Sequence, residues 1–194
     1  MSSEFRVWQY KSVAGGCVLK DFEGLEKTSS LHLGRPLAAE WPGDVLFRMN
    51  PDFPTDLLLT DSLLNSDQCL VVSERLRAAL EALQLPRVEY LPVAIIDHKG
   101  RKTPEPYVIV HPVDPVDCID RDASVVKTSR ITPGKISSLK SLVLDAKKVP
   151  ADAGLFRLKD LWGPIVVRKN VAEAITKGKF SGVSFIDSTA YPED

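Results

Sequence analysis

The sequence has little cysteine, and its three cysteines stand far apart. Cys17, Cys69 and Cys118 are odd in number and form no CxxC pair, so neither a disulfide framework nor a zinc site is predicted. We expect reduced thiols with a structural role. This expectation includes Cys17, although it follows two glycines in a predicted turn.

Long apolar runs are also missing. No window approaches the roughly 18 apolar residues of a membrane span. The first residues, MSSEFRVWQYKSV, lack the basic start and apolar stretch of a secretory leader. We therefore predict a cytoplasmic protein that has no contact with a membrane.

The short motifs of common catalytic and cofactor sites do not occur either. The sequence has no GxxxxGK[ST] or GxGxxG loop, no GxSxG turn and no HExxH pair. We predict no catalytic residue, no cofactor and no metal ligand, and a protein that is not an enzyme. Two catalytic carboxylates among the 26 acidic residues would leave no such motif, so that kind of enzyme stays open.

Charge of neither sign is in excess, because 25 basic residues face 26 acidic ones. This balance argues against a general nucleic-acid-binding protein, which needs a basic surface to displace counterions. The charges are unevenly distributed, since residues 1–97 are net acidic and residues 98–194 are net basic. The basic residues of the second part are spread out, with few aromatic side chains between them to stack on bases.

The 194 residues are enough for one domain with a real core, and 14 prolines and 11 glycines indicate short elements joined by turns. We predict an α+β fold with mixed or antiparallel sheets and a few packed helices. A β-rich part spans about residues 1–68, and two strand-helix-strand units span about residues 69–97 and 164–188.

The two units are predicted to be copies of each other. LVVSERLRAALEALQLPRVEYLP, from Leu70, aligns without gaps on IVVRKNVAEAITKGKFSGVSFID, from Ile165. Both segments have the pattern of a strand, an amphipathic helix, a turn and a second strand, with Ser73 as the cap of the first helix. We infer a duplication of about residues 70–92 and 165–187, whose helices pack against the sheets.

One stretch, HPVDPVDCID from His111 to Asp120, groups residues that bind metals or catalyse reactions. The spacing favours a helix start instead, with Asp114 as the cap, Pro115 in the first position and Asp117 near the positive end of the helix. It does not fit a calcium loop, which needs aspartates at alternate positions and a glycine at the sixth. A small metal-dependent enzyme centred on this stretch stays a less favoured alternative.

The best candidate for a partner-binding surface is the segment from Glu40 to Asp67, where acidic and apolar residues alternate and Arg48 is the one basic residue. Complementary charge speeds association and selects a partner, while buried apolar groups hold the complex together. The alternative is an ordinary helix over Thr55–Asn65 with a solvated face. The candidate partner-binding residues are Asp52, Phe53, Asp56, Asp61 and Asp67.

Residues 40–190 resemble a family of bacterial immunity proteins from polymorphic toxin systems, of the myxobacterial type, first described as a domain of unknown function. The marks of this resemblance are VVSERL before the first helix, YVIVHPVDPVDCIDRDAS with Asp120 and Ser124, and the closing GVSFID. These are patterns of structural elements rather than catalytic signatures. The family offers no binding motif that can be placed on a residue of this chain.

The resemblance implies an inhibitor that binds and neutralises a cognate toxin without catalysis, the toxin being encoded by a neighbouring gene. An alternative function is that of a structural or accessory subunit of a secretion system or another protein assembly. The sequence leaves self-association open.

Overall fold

The computed structural model describes residues 3–132, 134–161 and 163–192. The strands are β1 (Phe5–Tyr10), β2 (Val18–Glu23), β3 (Leu46–Met49), β4 (Ser62–Asn65), β5 (Leu70–Ser73), β6 (Val88–Ile96), β7 (Tyr107–Pro112), β8 (Val125–Thr128), β9 (Ile136–Ser141), β10 (Leu155–Arg157), β11 (Ile165–Arg168) and β12 (Val183–Asp187). The α-helices are α1 (Ser29–His32), α2 (Glu74–Glu81) and α3 (Lys169–Lys177). Short 3-10 helices cover Ala38–Glu40, Ala146–Lys148 and Ser188–Ala190. Among these helices, none is both long and apolar enough to cross a membrane.

Six strands form a closed barrel in the order β2-β3-β6-β7-β5-β4. The β2–β4 and β3–β6 pairs are parallel and the other pairs are antiparallel. The predicted α+β fold with mixed sheets is therefore confirmed. The barrel interior is filled by large apolar side chains, among them Leu19, Phe47, Val71, Leu91, Ile95 and Ile109.

A second sheet has the order β10-β11-β1-β12, and all of its pairs are antiparallel. One face of this sheet packs on an apolar cluster that includes residues from the loops after β7 and β9. A separate two-stranded sheet, β8-β9, also contributes to that cluster through Ile136. β1 comes early in the sequence, yet it lies between β11 and β12 in a sheet whose other three strands come from residues 155–187.

The predicted repeat of a strand-helix-strand unit is confirmed, and an offset of 95 residues holds at the first residue of each element. The first copy is β5, α2 and β6, and the second is β11, α3 and β12. The backbone of the turn after each helix is also alike, because Gln84 and Lys179 both have φ 50° and Arg87 and Gly182 have φ 62° and 75°. The caps differ: Ser73 accepts a hydrogen bond from the backbone of Leu76, whereas the second helix has no side-chain cap.

The copies agree in strand pairing as well. In the first, β7 lies between β5 and β6, with Ile109 opposite Val71. In the second, β1 lies between β11 and β12, with Val7 opposite Val166. β1 therefore takes the place of β7, although β1 comes before its copy in the chain and β7 comes after. We call β4-β5-β7-β6 with α2 the first unit, and β10-β11-β1-β12 with α3 the second unit.

The two units share one apolar core. Successive strand residues point to opposite faces, so Val71 faces the barrel interior while Val72 faces the other side, where both helices pack. Burying one such aliphatic side chain contributes about 1.5–3 kcal/mol. The fully or nearly fully buried members of this shared core are Trp8, Leu70, Val72, Leu76, Leu80, Val108, Val110, Leu155, Ile165, Val167, Val171, Ala172 and Ile175.

Leu80 and Ile175 occupy equivalent positions in the two helices and are 0% and 1% exposed. We expect Leu80→Ala and Ile175→Ala each to lower the free energy of unfolding by about 2–5 kcal/mol, because each leaves a cavity. Since both cavities lie in one core, each variant should still unfold in a single transition. Urea unfolding followed by circular dichroism and by tryptophan fluorescence measures both properties.

The matched control is Lys177→Ala, which changes an exposed residue of α3 and should shift the free energy of unfolding by less than about 0.5 kcal/mol. Two separate transitions in either core variant would show that the units have independent cores.

Candidate functional site

The acidic and apolar segment singled out from the sequence, Glu40–Asp67, contains β3, a connecting loop and β4. Residues 50–61 connect β3 to β4 through turns, and Ser62 and Leu63 pair with β5 as part of the barrel. The alternative of a helix over Thr55–Asn65 is therefore wrong. Asp52, Phe53 and Asp56 lie in this connection, Asp61 ends it, and Asp67 lies in the turn between β4 and β5.

The loop of residues 50–59, which we call the apolar loop, exposes three large apolar side chains. Phe53, Leu57 and Leu58 are 45%, 57% and 51% exposed. The backbone is fixed, because Leu58 donates to Gly15 (2.8 Å) and accepts from Cys17 (2.9 Å). A hydrogen-bonded loop that presents apolar side chains to solvent can bind a partner with little loss of conformational entropy.

Two of the candidate aspartates flank these side chains. Asp52 lies 3.5 Å from Nζ of Lys20, and both side chains are largely exposed, so their attraction is weak. Asp56 forms no ion pair with any residue that the structure describes. Both carboxylates are therefore available to a basic group of a partner.

Asp67 is separate from the apolar loop. The four residues of β4 lie between them, a distance of roughly 13 Å along the strand. Its carboxylate accepts a hydrogen bond from the hydroxyl of Ser66 (2.8 Å). A partner that contacts both Asp56 and Asp67 must therefore cover the length of β4.

Asp61 has a different environment, because its carboxylate joins the two units. It accepts hydrogen bonds from Ser73 (2.8 Å) and Arg75 (2.7 and 3.1 Å) of the first unit. It also accepts from the backbone and the hydroxyl of Ser181, in the turn before β12 of the second unit (both 2.8 Å). Burial alone would raise the pKa of Asp61, but these hydrogen bonds hold it well below its usual range.

The stretch from His111 to Asp120 does not begin a helix, so that interpretation was wrong. Asp114 has φ 56°, a left-handed conformation, and its N–H donates to the carbonyl of Gly34 (3.0 Å). Pro115 packs closely against Gly34, so closely that a side chain at position 34 would collide with the proline ring. A tertiary contact, which local spacing does not reveal, fixes this turn.

The side chains of this stretch that could bind a metal each contact different residues. Asp117 pairs with Lys159 at the surface (3.3 Å), and Asp120 accepts from the N–H groups of the two residues Asp122 and Ala123 (both 3.1 Å). His111 is fully buried on β7. In the described part of the chain, no three histidine, cysteine, aspartate or glutamate side chains form a group that could hold a metal ion.

Asp120 and Ser124, which belong to the most specific pattern of the sequence, have a structural role. The backbone carbonyl of Asp120 accepts from Ser124 (2.9 Å). The Ser124 hydroxyl donates to the carbonyl of Val143 (3.2 Å) and accepts from its N–H (2.9 Å). These bonds tie the segment before β8 to the segment after β9.

The three cysteines are free and buried, as the sequence predicts. Burial raises the pKa of the Cys17 thiol to about 11 and those of Cys69 and Cys118 to about 12. Thiols with such pKa values are almost fully protonated at neutral pH and are poor nucleophiles.

A crevice of about 350 Å³ separates parts of the two units. Its walls include Trp8, Tyr10, Leu64, Gln68 and Tyr191, and the described residues that line it include no carboxylate, histidine, lysine or arginine. The titratable side chains among them are those of Tyr10, Tyr191 and Cys69. The described lining therefore lacks the histidine and carboxylate groups that general acid–base catalysis uses most often.

Basic groups are buried where the barrel meets the second unit. His111 bonds through Nε2 to the carbonyl of Arg35 (2.7 Å). Arg157 is 2% exposed, and its Nε and Nη1 have no hydrogen-bond partner within the described residues. Burial, together with the charge of Arg157 and the neighbouring His32, lowers the pKa of His111, and the opposing effects of Arg35 and Glu89 do not compensate.

We expect Asp61→Asn to lower the free energy of unfolding by about 2–3 kcal/mol, since several charge-assisted hydrogen bonds are lost together. The contribution of this carboxylate is complete above the unfolded pKa of about 3.9 and disappears as the pH falls through the lower folded pKa. The difference from wild type in urea unfolding should therefore be constant above about pH 5 and shrink below pH 4.

Asp67→Asn is the control for this charge change, with an expected effect below about 0.5 kcal/mol at any of these pH values. Equal losses in the two variants would contradict a joining role for Asp61.

We expect the protein to lose stability on acidification below about pH 6.5, because the unfolded chain then binds a proton at His111 that the folded chain excludes. In His111→Gln, which keeps a donor for the Arg35 carbonyl, the loss between pH 7.5 and 5.5 should be smaller. Urea unfolding at both pH values is the measurement. The same loss in both proteins would mean that His111 does not contribute.

With this geometry established, comparison with known proteins identifies the family. No match is found among curated proteins. The chain does match the Immunity protein family (Imm11) over residues 11–190, which is nearly its whole length. The match includes the first unit, the barrel, all five candidate partner-binding residues and the whole of the second unit except β1, which ends at Tyr10. The protein therefore belongs to the Imm11 immunity protein family.

Proposed function

We propose that the protein binds a cognate toxin and neutralises it without catalysis. Membership of an immunity protein family carries this proposal. The structure is compatible with it, because the apolar loop exposes Phe53, Leu57 and Leu58 on a backbone that is hydrogen-bonded to Gly15 and Cys17. The toxin is proposed to be encoded by a neighbouring gene, and the complex to form in the cytoplasm.

The apolar loop is proposed as one contact with the toxin. Exposed large apolar side chains in one short loop are typical of interaction sites, and aromatic anchors dominate many interfaces. Asp52 and Asp56 beside them favour a basic partner surface, because complementary charge raises the association rate. Asp67 is proposed as a more distant contact, and Asp61 contributes by keeping β4 in place. A specific interface buries on the order of 1,600 Å², which is more than this loop alone offers.

The first test is co-expression. The C-terminal domain of the large protein encoded next to this gene is induced in a sensitive host with and without the full chain, and survivors are counted. We expect rescue of growth and co-purification of the two chains. Killing that continues despite the chain, or a harmless neighbour, would contradict the proposed function, and self-association of the chain alone would instead favour an assembly subunit.

If the two chains co-purify, the apolar loop is tested by measuring their association and dissociation rates. Phe53→Ala with Leu57→Ala should raise the dissociation rate at least tenfold, since anchors of an interface mainly control dissociation. Asp52→Asn with Asp56→Asn should slow association at low salt and lose this effect at high salt.

The charge-matched control is Glu26→Gln with Glu173→Gln, which removes the same charge at exposed positions outside the apolar loop. Rates equal to this control in the aspartate variant, together with unchanged dissociation in the apolar variant, would exclude the loop from the interface.

A further inference from the structure

The hairpin of β8 and β9 forms a basic surface that is separate from the apolar loop. From Val125 to Ser141 the chain contains Lys127, Arg130, Lys135 and Lys140 and no carboxylate. The two strands pair only with each other and belong to neither the barrel nor the second sheet. A strand pair of this kind is not stable alone and depends on what holds its base.

The hairpin is anchored at its base by the hydrogen bonds between Ser124 and Val143, and it is also anchored near its tip. Ile136 is buried in the cluster beneath the second sheet, and Val126 and Leu139 pack against the same cluster. The carboxylate of Asp160 binds Lys135 (3.0 Å) and Arg121 (3.2 Å). One face of the hairpin is therefore fixed to the second unit.

The other face of the hairpin is exposed and can meet a partner. Lys127, Arg130 and Lys140 are exposed, and none of them forms an ion pair with a described residue. On the β8 side of the tip, Ile131 is 93% exposed. Its backbone N–H donates a hydrogen bond to the hydroxyl of Ser129 (3.2 Å).

We propose that the exposed face of this hairpin docks in a carboxylate-rimmed cleft of the toxin, with Ile131 in an apolar pocket at the floor of the cleft. This inference rests on the proposed function. Three unpaired cations match an acidic rim, and an exposed aliphatic side chain at their apex matches an apolar floor. Nucleic acid fits less well, because residues 125–141 contain no aromatic side chain for base stacking and a phosphate backbone offers no pocket for Ile131.

The hairpin and the apolar loop lie on opposite sides of the shared core. The apolar loop belongs to the barrel end, whereas the hairpin packs on the far face of the second sheet. Binding of the toxin at each of the two surfaces can therefore be tested separately. A toxin that engages only the hairpin leaves the apolar loop exposed, and the reverse is also true.

The test measures association and dissociation rates with the neighbouring toxin domain, after wild-type binding has been established. Lys127→Ser with Arg130→Ser and Lys140→Ser should slow association at least tenfold at low salt and weaken its salt dependence. Ile131→Ser should leave association nearly unchanged and raise the dissociation rate about tenfold. The control removes three exposed lysines outside the hairpin: Lys11→Ser, Lys99→Ser and Lys177→Ser.

A photo-crosslinking amino acid at position 131 provides a second readout that does not depend on the charge variants. We expect crosslinks to a toxin segment rich in aspartate or glutamate, identified by mass spectrometry, and none from the same group at position 99. Thermal unfolding checks that each variant is folded, and the single variants Lys127→Ser and Arg130→Ser replace the triple variant if it is not.

The outcomes separate the two proposals. If wild type does not bind the toxin domain, the proposed function fails and the hairpin proposal fails with it. If wild type binds and the hairpin variants match the control, only the hairpin proposal is overturned. A third outcome is that wild type binds a duplex DNA or a single-stranded RNA oligonucleotide, and that the triple variant loses this binding but still binds the toxin domain as wild type does. That outcome would also overturn the hairpin proposal and would identify the hairpin as a nucleic-acid surface.

Discussion

Burial of the two helices in the single core that the units share is the constraint on which the fold depends. Each strand-helix-strand copy has a helix with an apolar face, and one four-stranded sheet alone would leave part of that face exposed to solvent. The shared core solves this by placing Leu80 and Ile175, at equivalent positions, in one cluster. The sheets then have a second face each, and these faces are covered differently. The barrel closes over the first, and irregular segments with the β8-β9 hairpin cover the second.

The equivalence of the units makes their differences informative. From the strand registers, Leu64 of β4 corresponds to Arg157 of β10, and Gln9 corresponds to His111. Leu64 of the first unit and Gln9 of the second line the open crevice, whereas His111 of the first unit and Arg157 of the second belong to the buried basic cluster. Asp61 likewise corresponds to Gly154, so the carboxylate that joins the units has no counterpart on the other side. The duplication supplies the scaffold, and the substitutions within it create two unlike surfaces.

Local and repeated patterns in the sequence were sufficient to predict much of this fold. The helix after Ser73, the paired copies and the mixed sheets follow from periodicity, capping and self-comparison. The position of β1 in the second sheet does not follow from these patterns, because its pairing partners lie far away in the chain and any apolar strand has many compatible neighbours. The errors at Asp114 and at Thr55–Asn65 have the same origin. In both segments, contacts with distant residues override the local preference for a helix.

The candidate site is predicted less completely than the fold. Composition located the loop with Asp52, Phe53 and Asp56, where the structure shows exposed apolar side chains. It did not distinguish Asp61, whose role becomes visible only when Ser181 is brought to it from 120 residues away. The hairpin has a plain sequence signal, four cations without a carboxylate, but its significance depends on knowing that Lys135 is paired and the other three cations are not.

The central place of β1 also has a consequence for how the protein is made. On a ribosome β1 is synthesised before its partner strands, and β11 follows only after about 155 further residues, which takes roughly 10–30 s at ordinary rates of translation. During that time Phe5, Val7 and Trp8 have no sheet to enter. The barrel can form while the chain is still being elongated, whereas the second sheet must wait for β12. Newly made protein would therefore pass through a state with a finished barrel and an unpaired β1, a natural substrate for chaperones.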